Sequence, residues 1–241
     1  MPGWNEYPVA GVFVGDHDVP VLVDNDVNIM ALGECRRCWR GTVEDLLFVK
    51  VGTGIGAGLI IGGRLQHGAR GGAGDIGHIR VAGADDVVCP CSNTGCLEAV
   101  AGGGGLARAL SERGKMARGP ADVVTLVRSG DADAVALVRS AGRQLGVVLA
   151  GVVNLLNPAV IVLGGRLAAV DEQLLAGVRE SIYSRSLPLA TRNLQIVRSQ
   201  LGSTAGVVGA AALVLDHLLT PDAIDMALAT SLARTMTVAG R

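Results

Sequence analysis

The sequence predicts an α/β fold, because stretches typical of strands alternate with stretches of helical spacing along its 241 residues. The long apolar segment 131–156 has helical spacing, and Pro158 ends it. A buried strand, "AVIVLGG" (159–165), follows and closes on a glycine turn. The helical segment 171–186 and the strand "LQIVRS" (194–199) then repeat this order. Such alternation predicts a sheet covered by helices.

The first third of the chain is expected to contain a strand–helix unit and a hairpin. "VPVLVDND" (19–26) is a β-branched run that ends in polar residues, and helical spacing follows it up to Gly41. "DLLFVKVGTGIGAGLIIGGRL" (45–65) contains two apolar strands joined by the turn "GTGIG" (52–56), which predicts a hairpin. A further strand is expected over 76–81.

After residue 96 the sequence predicts mainly helices. Helical patterns cover 97–114, which a run of four glycines interrupts, and 120–130. The small-residue segment 203–219 predicts a helix that packs closely against the sheet. Residues 220–241 have weak patterning and are expected to form a loose helix or to be disordered.

Composition and charge exclude several classes of partner. The formal net charge is −1 and the chain contains two Trp, two Tyr and two Phe, so it offers a nucleic acid neither a basic surface nor stacking side chains. Polar residues interrupt each apolar stretch before about 18 residues, and the amino terminus lacks the regions of a signal peptide. The protein is therefore expected to be cytoplasmic, with no membrane partner and with reduced thiols.

Three cysteines and one histidine lie within the twenty residues "GHIRVAGADDVVCPCSNTGC" (77–96). Four ligands of this kind match the set that tetrahedral zinc takes in a closed structural site. Such a site leaves no open position for water, so the zinc would be structural rather than catalytic. The alternative is a core histidine among ordinary buried cysteines. The candidate zinc ligands are His78, Cys89, Cys91 and Cys96.

The roles of two further motifs stay open on local spacing alone. The turn "GTGIG" presents backbone amides as a phosphate-binding loop does, yet a plain glycine-rich hairpin explains it equally well. Asp26 stands at the carboxyl end of the predicted strand, where a carboxylate is placed to take a proton from a hydroxyl group. Helix capping by Asp24 or Asn25 is the alternative for this cluster.

Four segments together resemble the ROK family of repressors, unassigned reading frames and sugar kinases, which share the actin-like, ribonuclease-H-like ATPase fold. The segments are "VDNDVNIMALGE", "VKVGTGIGAGLIIGGRLQHGARGGAGDIGH", "CPCSNTGCLE" and "VIVLGGRLA". The resemblance extends from about Trp4 to about Leu219 and implies a complete second lobe and a partial first lobe. It divides the chain into a remnant of the first lobe (1–42), a second lobe with the zinc motif (43–219) and a tail (220–241).

The resemblance also implies which residues form a sugar site in a cleft between two lobes. Asp26 matches the catalytic base that deprotonates the 6-hydroxyl group of the sugar. Asn25 and Glu98 match ligands of sugar hydroxyl groups, and His78 matches a residue that binds zinc and touches sugar. Asp75 stands where the kinases carry glutamate. On the nucleotide side, the matches are Gly52, Thr53 and Gly54 in the second phosphate loop, with Gly164 and Gly165 in the adenosine region.

Two departures from the family pattern favour a regulator over a kinase. The chain has no D-x-G-x-T motif before Asp24, which in the kinases holds Mg²⁺ and the nucleotide phosphates. Asp75 also shortens the sugar clamp by one methylene group. The first hypothesis is therefore the sugar-sensing portion of a transcriptional regulator, which forms a dimer or tetramer and contacts DNA only through a segment absent from this chain.

Two alternatives remain at this point. One is a sugar kinase that uses ATP and Mg²⁺ to phosphorylate a 6-hydroxyl group, with Asp26 as the base. The other is an inactive truncated remnant, whose incomplete first lobe would expose Val21, Leu22 and Val23.

Overall fold

The computed structural model describes residues 7–13, 20–168, 172–226 and 228–229. Its centre is a five-stranded mixed sheet, which confirms the predicted α/β class. The strands are β1 (Leu46–Val51), β2 (Ile55–Ile61), β3 (Arg64–Gln66), β4 (Val160–Gly164) and β5 (Gln195–Arg198). Their order across the sheet is β3-β2-β1-β4-β5. The β1–β2–β3 ladder is antiparallel, whereas β4 is parallel to both β1 and β5.

Helices surround this sheet. In chain order they are α1 (Val9–Phe13), α2 (Asp26–Cys38), α3 (Leu97–Ala101), α4 (Gly103–Glu112), α5 (Pro120–Arg128), α6 (Ala132–Leu156), α7 (Glu172–Arg185), α8 (Pro188–Thr191) and α9 (Ala205–Leu218). Short 3₁₀ turns occur at Ile76–His78 and Gly202–Thr204. The predicted hairpin corresponds to β1 and β2, and the predicted long helix is α6. In the tail, 221–226 and 228–229 are helical, and 230–241 lie outside the described residues.

The two central strands bury apolar side chains on both faces of the sheet. Val49 and Leu163 belong to the core that α6 and α7 cover, whereas Phe48 and Val162 belong to the core on the side of α2. These four side chains are at most 1% exposed. Burial on both faces is why β1 and β4 are continuous apolar runs rather than alternating ones, and why the sequence identifies them.

Among the described residues, α6 is the one helix whose length and composition would suffice to cross a membrane. A buried helix in the core of a globular domain satisfies the same criteria. Leu145, Leu149 and Val153 of α6 are fully buried in the core against the sheet. The apolar sequence of α6 is thus explained by its packing.

Helix α2 is held against the sheet and against α9 by direct backbone contact. A Cβ added to Gly209 of α9 would lie 1.7 Å from the backbone oxygen of Ile29, and one added to Gly33 would lie 2.4 Å from that of Ala205. Glycine at both positions is what permits this approach. The packing fixes the amino end of α2, which carries Asn25 and Asp26.

A buried carboxylate adds a second link between α2 and the segment after β5. Glu34 is fully buried and accepts hydrogen bonds from the hydroxyl of Ser199 (2.8 Å) and the backbone amides of Gln200 (2.7 Å) and Leu201 (3.4 Å). Helix α2 therefore packs on the sheet as part of its core, and the predicted domain division at residue 42 stays a prediction.

The strand predicted at 19–26 is wrong for the residues that the structure describes. Residues 20–25 have no regular secondary structure, and Asp26 is already the first residue of α2. The side chain of Asn25 caps the helix by accepting a hydrogen bond from the amide of Val27 (2.9 Å). Among the described residues, the five strands of the sheet pair with one another and not with 20–25. A β-branched run without a pairing partner does not form a strand.

The strand predicted at 76–81 is also wrong. Ile76–His78 form a 3₁₀ turn, and Arg80 makes only an isolated bridge with Cys96. A Cβ on Gly77 would lie 2.2 Å from the backbone oxygen of Ile55, so the chain here presses against the start of β2 instead of extending the sheet. This path brings His78 next to the cysteine segment.

Candidate ligand pocket and metal centre

A cavity of about 630 Å³ opens where β1 ends and α2 begins. The amino end of α2, the turn 52–54 and the loop 71–75 form most of its wall. These parts of the chain are far apart in sequence, and the fold brings their polar groups into one space. The predicted site residues that line the cavity are Asn25, Asp26, Gly52, Thr53, Gly54, Asp75, His78 and Glu98.

Gly164 and Gly165 lie at the end of β4 and are not among the residues that line this cavity. A Cβ on Gly164 would lie 2.3 Å from the ring of Phe48, and Gly165 has a φ of +87° and lies against the backbone of Val51. Both positions therefore have a packing reason to be glycine. Their predicted place in an adenosine region stays a prediction, although the next residue, Arg166, lines the cavity.

Asp26 is engaged by a cation that the sequence did not single out. Its side chain is 69% exposed to the cavity and solvent, and Lys50 Nζ donates a hydrogen bond to Asp26 Oδ2. Lys50 is the one charged residue in the apolar strand "LLFVKV" (46–51). That interruption was the available signal, but pairing with Asp26 depends on how α2 packs beside β1.

The glycine run after Glu98 has a structural purpose in the pocket. Only Gly102 interrupts the helical pattern, because Gly103 already begins α4. The amides of Gly103 and Gly104 donate to the backbone oxygens of Gly52 (2.8 Å) and Thr53 (2.9 Å). A Cβ on Gly103 would lie 2.6 Å from the oxygen of Gly52. The run therefore lets α4 hold the turn 52–54 by its carbonyl groups.

Glu98 is positioned by the same turn. Its Oε2 accepts a hydrogen bond from the backbone amide of Ile55 (3.1 Å). A Cβ on Gly54 would lie 1.9 Å from this oxygen, so glycine at that position makes room for the carboxylate. Glu98 thus reaches the cavity with one oxygen anchored.

Asn28 is a pocket residue whose role the sequence left undefined. It is 2% exposed, lines the cavity and donates its amide to Asp24 Oδ1 (2.8 Å). Within the described part of the chain, its side-chain oxygen has no hydrogen-bond partner. A buried acceptor left without a donor costs about 1–3 kcal/mol. The amide of Asn28 meanwhile holds Asp24 beside α2.

The side chains of the four predicted zinc ligands lie close together in the structure. Their donor atoms all lie within 4.8 Å of one another. His78 Nδ1 is 3.6 Å from Cys89 Sγ, and Cys91 Sγ is 3.7 Å from Cys96 Sγ. Tetrahedral zinc, with bonds of about 2.3 Å to sulfur and about 2.0 Å to nitrogen, requires separations of about 3.8 Å between sulfurs and about 3.5 Å between nitrogen and sulfur. The residues therefore fit a zinc ion.

A tight loop brings the three sulfurs together. The amide of Cys89 donates to the backbone oxygen of Asn93 (2.8 Å), and Ser92 and Gly95 have φ values of +74° and +75°. A hydrogen bond from the backbone amide of Asn93 lowers the pKa of the Cys91 thiol to about 7. Thiolate is the form of cysteine that binds metal. The hydrogen bond from the Asn93 amide therefore favours the metal-binding form of Cys91.

His78 connects the cysteine cluster to the cavity. Its Nδ1 faces the cysteines, whereas its Nε2 lies 3.8 Å from Asp75 Oδ1, and both residues line the cavity. A metal bound at Nδ1 would fix the tautomer and the orientation of the ring. The cysteine cluster therefore supports one wall of the pocket.

Asp24 links α2 to the loop 67–75, whose residues 71–75 form part of the pocket wall. The ring of His67, at the start of this loop, donates from Nε2 to Asp24 Oδ2 (2.6 Å). Burial raises the pKa of Asp24, but hydrogen bonds from His67, Asn28 and the amide of Asn25 outweigh it and leave the pKa below its ordinary value. The ionised carboxylate is thus the form that holds the loop.

Acid is expected to remove the contribution of this carboxylate to stability. Because the folded protein holds Asp24 at a lower pKa than the unfolded chain does, it binds fewer protons and its stability rises with pH. The contribution is complete above the ordinary value of 3.8 and is lost as the pH falls through the lowered folded pKa. In urea unfolding, His67→Ala should cost up to about 1 kcal/mol at pH 7, and the difference from wild type should shrink below pH 3.8. An equal difference at both pH values would contradict this assignment.

Comparison with solved structures identifies the class of fold. A ROK family glucokinase from Streptomyces griseus, solved with glucose and AMPPNP, matches this structure with a TM-score of 0.70 and 33% sequence identity. The match covers 81% of this chain and 68% of the glucokinase. The fold is thus the actin-like ATPase fold, as the resemblance implied. The chain belongs to the ROK family, whose family model matches residues 1–217.

Its relatives include both enzymes and repressors. It is 34% identical over 229 residues to a glucokinase of Halalkalibacterium halodurans, covering 88% of this chain and 68% of the relative. It is 31% identical over 230 residues to the xylose repressor of Caldicellulosiruptor bescii, covering 90% of this chain and 57% of the repressor. The chain thus spans about two thirds of the one and little more than half of the other.

Proposed function

We propose that this chain is the sugar-sensing portion of a ROK family transcriptional regulator. The convergence of an amide, three carboxylates and a histidine in one cavity is the observation that carries the proposal. Such groups both donate and accept hydrogen bonds, as recognition of a polyhydroxylated ligand requires. The five residues are Asn25, Asp26, Asp75, His78 and Glu98.

Four of these five groups have a defined part in the proposed site. Asp26 and Glu98 accept hydrogen bonds from sugar hydroxyl groups, and Asn25 offers both a donor and an acceptor. His78, Cys89, Cys91 and Cys96 would hold a structural zinc ion, which would fix the orientation of the His78 ring. We assign no chemical step to the metal.

The residue at position 75 favours a sensor over a kinase. Asp75, one methylene shorter than glutamate, loosens the hold on the sugar that phosphoryl transfer requires. Lys50 donates to Oδ2 of Asp26, whereas Oδ1 has no hydrogen-bond partner among the described residues. Asp26 therefore keeps a free acceptor for a sugar hydroxyl group in either function.

A kinase is the second candidate, and one observation favours it. Asp26 and the turn 52–54 line the same cavity, so a base and a phosphate-binding turn would flank one reaction space. In either case we expect a cytoplasmic protein that forms a dimer or tetramer. DNA contact, in the regulator, is assigned to a segment absent from this chain.

Calorimetry and an ADP-release assay distinguish these functions. The zinc-loaded chain is titrated with glucose, N-acetylglucosamine and xylose, and then incubated with each sugar and MgATP. We expect saturable binding of at least one sugar and no sugar-dependent ADP. Asp26→Asn should weaken binding about 10-fold or more by removing a charged hydrogen-bond acceptor, whereas Asp216→Asn, in a surface ion pair, should not. Sugar-dependent ADP release would refute the assignment as a sensor. If none of the three sugars binds, the cavity is not a binding site for these sugars.

A further inference from the structure

The sulfurs of the cysteine cluster, formed by Cys89, Cys91 and Cys96, differ in their surroundings. Cys91 is exposed, whereas Cys89 and Cys96 are buried. Cys89 Sγ lies 3.6 Å from His78 Nδ1, and Cys91 Sγ lies 3.7 Å from Cys96 Sγ. An exposed thiol beside a second one is the arrangement of redox-sensor sites, in which the first thiol is oxidised and the second resolves it. The cluster therefore offers a pair of sulfurs for oxidation as well as a set of metal ligands.

The segment that carries Cys91 permits the movement that a disulfide requires. A disulfide joins two sulfurs about 2.0 Å apart, so this pair must close by about 1.7 Å. Residues 90–94 are all exposed. Cys91 can therefore move toward Cys96 without disturbing the buried core.

Cys96 is the point at which the cluster joins the pocket. It caps the amino end of α3, and Glu98 lies in the first turn of that helix. Cys96 also forms an isolated bridge with Arg80. The pocket residues His78 and Glu98 thus each stand two positions from one member of this bridge. A displacement of Cys96 is transmitted to both of them.

We propose that Cys91 and Cys96 form a reversible disulfide in response to hydroperoxides, and that this bond opens the cysteine cluster and weakens the sugar pocket. The effect on sugar rests on the proposed function, whereas the disulfide itself does not. Once these two sulfurs are joined to each other, Cys89 and His78 are the remaining members of the ligand set. Two ligands do not complete a closed tetrahedral site, so a bound zinc ion would be released.

The oxidation takes two steps that balance in atoms and electrons. Zinc keeps a coordinating thiol in the thiolate form, which is the nucleophile. The Cys91 thiolate attacks the terminal oxygen of the hydroperoxide, the O–O bond breaks, and a sulfenic acid forms while the departing alkoxide or hydroxide takes up a proton. The Cys96 thiolate then attacks the Cys91 sulfur, and the hydroxide that leaves is protonated to water. The two cysteines lose two electrons, which the peroxide gains.

Thiol mapping on the wild-type, zinc-loaded chain tests this chemistry. After treatment with hydrogen peroxide, free thiols are blocked with iodoacetamide, disulfides are reduced, and the thiols so released are labelled with N-ethylmaleimide for mass spectrometry. A chromogenic chelator follows zinc in the same sample. We expect N-ethylmaleimide on Cys91 and Cys96, iodoacetamide on Cys89, and release of zinc in step with the disulfide. Dithiothreitol with added zinc should restore the starting protein.

Three results would overturn the inference. They are a disulfide that includes Cys89, retention of zinc after Cys91 and Cys96 have been joined, and the absence of any disulfide in excess peroxide. Cys38→Ser is the matched control, because Cys38 lies on α2 outside the cluster. This variant should form the same disulfide at the same rate as wild type, and a changed rate would place the reactive thiol on α2 instead.

Calorimetry and hydrogen exchange test the connection to the pocket. The affinity for a sugar that binds the reduced protein should fall about 10-fold or more on oxidation, through loss of hydrogen bonds to the displaced side chains. Amide exchange in 76–81 and 96–101 should become faster in the oxidised protein, and this readout needs no ligand. Equal affinity and equal exchange in both states would contradict the connection. If no sugar binds the reduced protein, the proposed function fails, and thiol mapping and amide exchange still decide the redox inference.

Discussion

Replacing Cys96 by serine is expected to abolish zinc binding and to lower the melting temperature on the order of 10 °C. Cys96 is 1% exposed and its sulfur lies 3.7 Å from that of Cys91, so serine removes a ligand with little change in volume. A structural zinc site contributes folding free energy directly. Residues 90–94 of this loop are exposed, so we expect its order to depend on the metal. Metal content by mass spectrometry and thermal unfolding by circular dichroism measure both effects.

Cys38→Ser is the matched control for this experiment. Cys38 is half-buried on α2 and lies outside the cysteine cluster. It should keep one equivalent of zinc and unfold close to wild type. A chelator should lower the melting temperature of wild type and of Cys38→Ser but not of Cys96→Ser. Undiminished zinc in Cys96→Ser, or equal melting temperatures for both variants, would refute the metal centre.

Gly209→Ala is expected to destabilise the protein by about 1–3 kcal/mol and to lower the affinity of the pocket for sugar. The added Cβ would lie 1.7 Å from the backbone oxygen of Ile29, so α2 and α9 must separate. Since α2 carries Asn25 and Asp26 at its amino end, their placement in the cavity shifts with it. Chemical unfolding measures the loss of stability, and calorimetry measures the accompanying loss of sugar affinity.

Gly206→Ala is the matched control, because it places the same substitution on α9 where the added Cβ does not meet α2. Apart from the backbone of its own helix turn, no heavy atom of the described residues lies within 4 Å of a Cβ added there. The free energy of unfolding of Gly206→Ala should be unchanged or should increase by up to about 1 kcal/mol, because alanine has a higher helix propensity than glycine. If both variants unfold alike, the close approach of α2 and α9 is not what positions the pocket.

The elements that the sequence identified correctly are those whose pattern reflects burial. β1 and β4 are apolar without alternation because both of their faces are covered, and α6 is apolar because it fills the core. The segments 20–25 and 76–81 have similar composition but no adjacent strand to pair with, and pairing is a tertiary property that composition does not encode. The prediction therefore failed where strand formation depended on distant residues.

The residues of the candidate site fall into two groups: those that the sequence identified and those whose contacts arise only from packing. The cysteine cluster was visible because its ligands lie close together in sequence, and Asp26 and Glu98 were visible through the family resemblance. Lys50 and Asn28 were not assigned roles, because their contacts with Asp26 and Asp24 arise from the packing of α2 beside β1. The sequence of the glycine run 102–105 predicts a helix break, whereas in the structure these glycines let α4 approach the turn 52–54.

A crystal structure of the zinc-loaded chain with its bound sugar tests the central claim most directly. The claim is that one zinc-braced cavity recognises sugar hydroxyl groups. We expect electron density for the sugar in the cavity, with hydroxyl groups within hydrogen-bonding distance of Asn25, Asp26 and Glu98. Anomalous scattering should place zinc among His78, Cys89, Cys91 and Cys96. A sugar bound outside this cavity, or a cavity that stays empty at saturating sugar, would contradict the account.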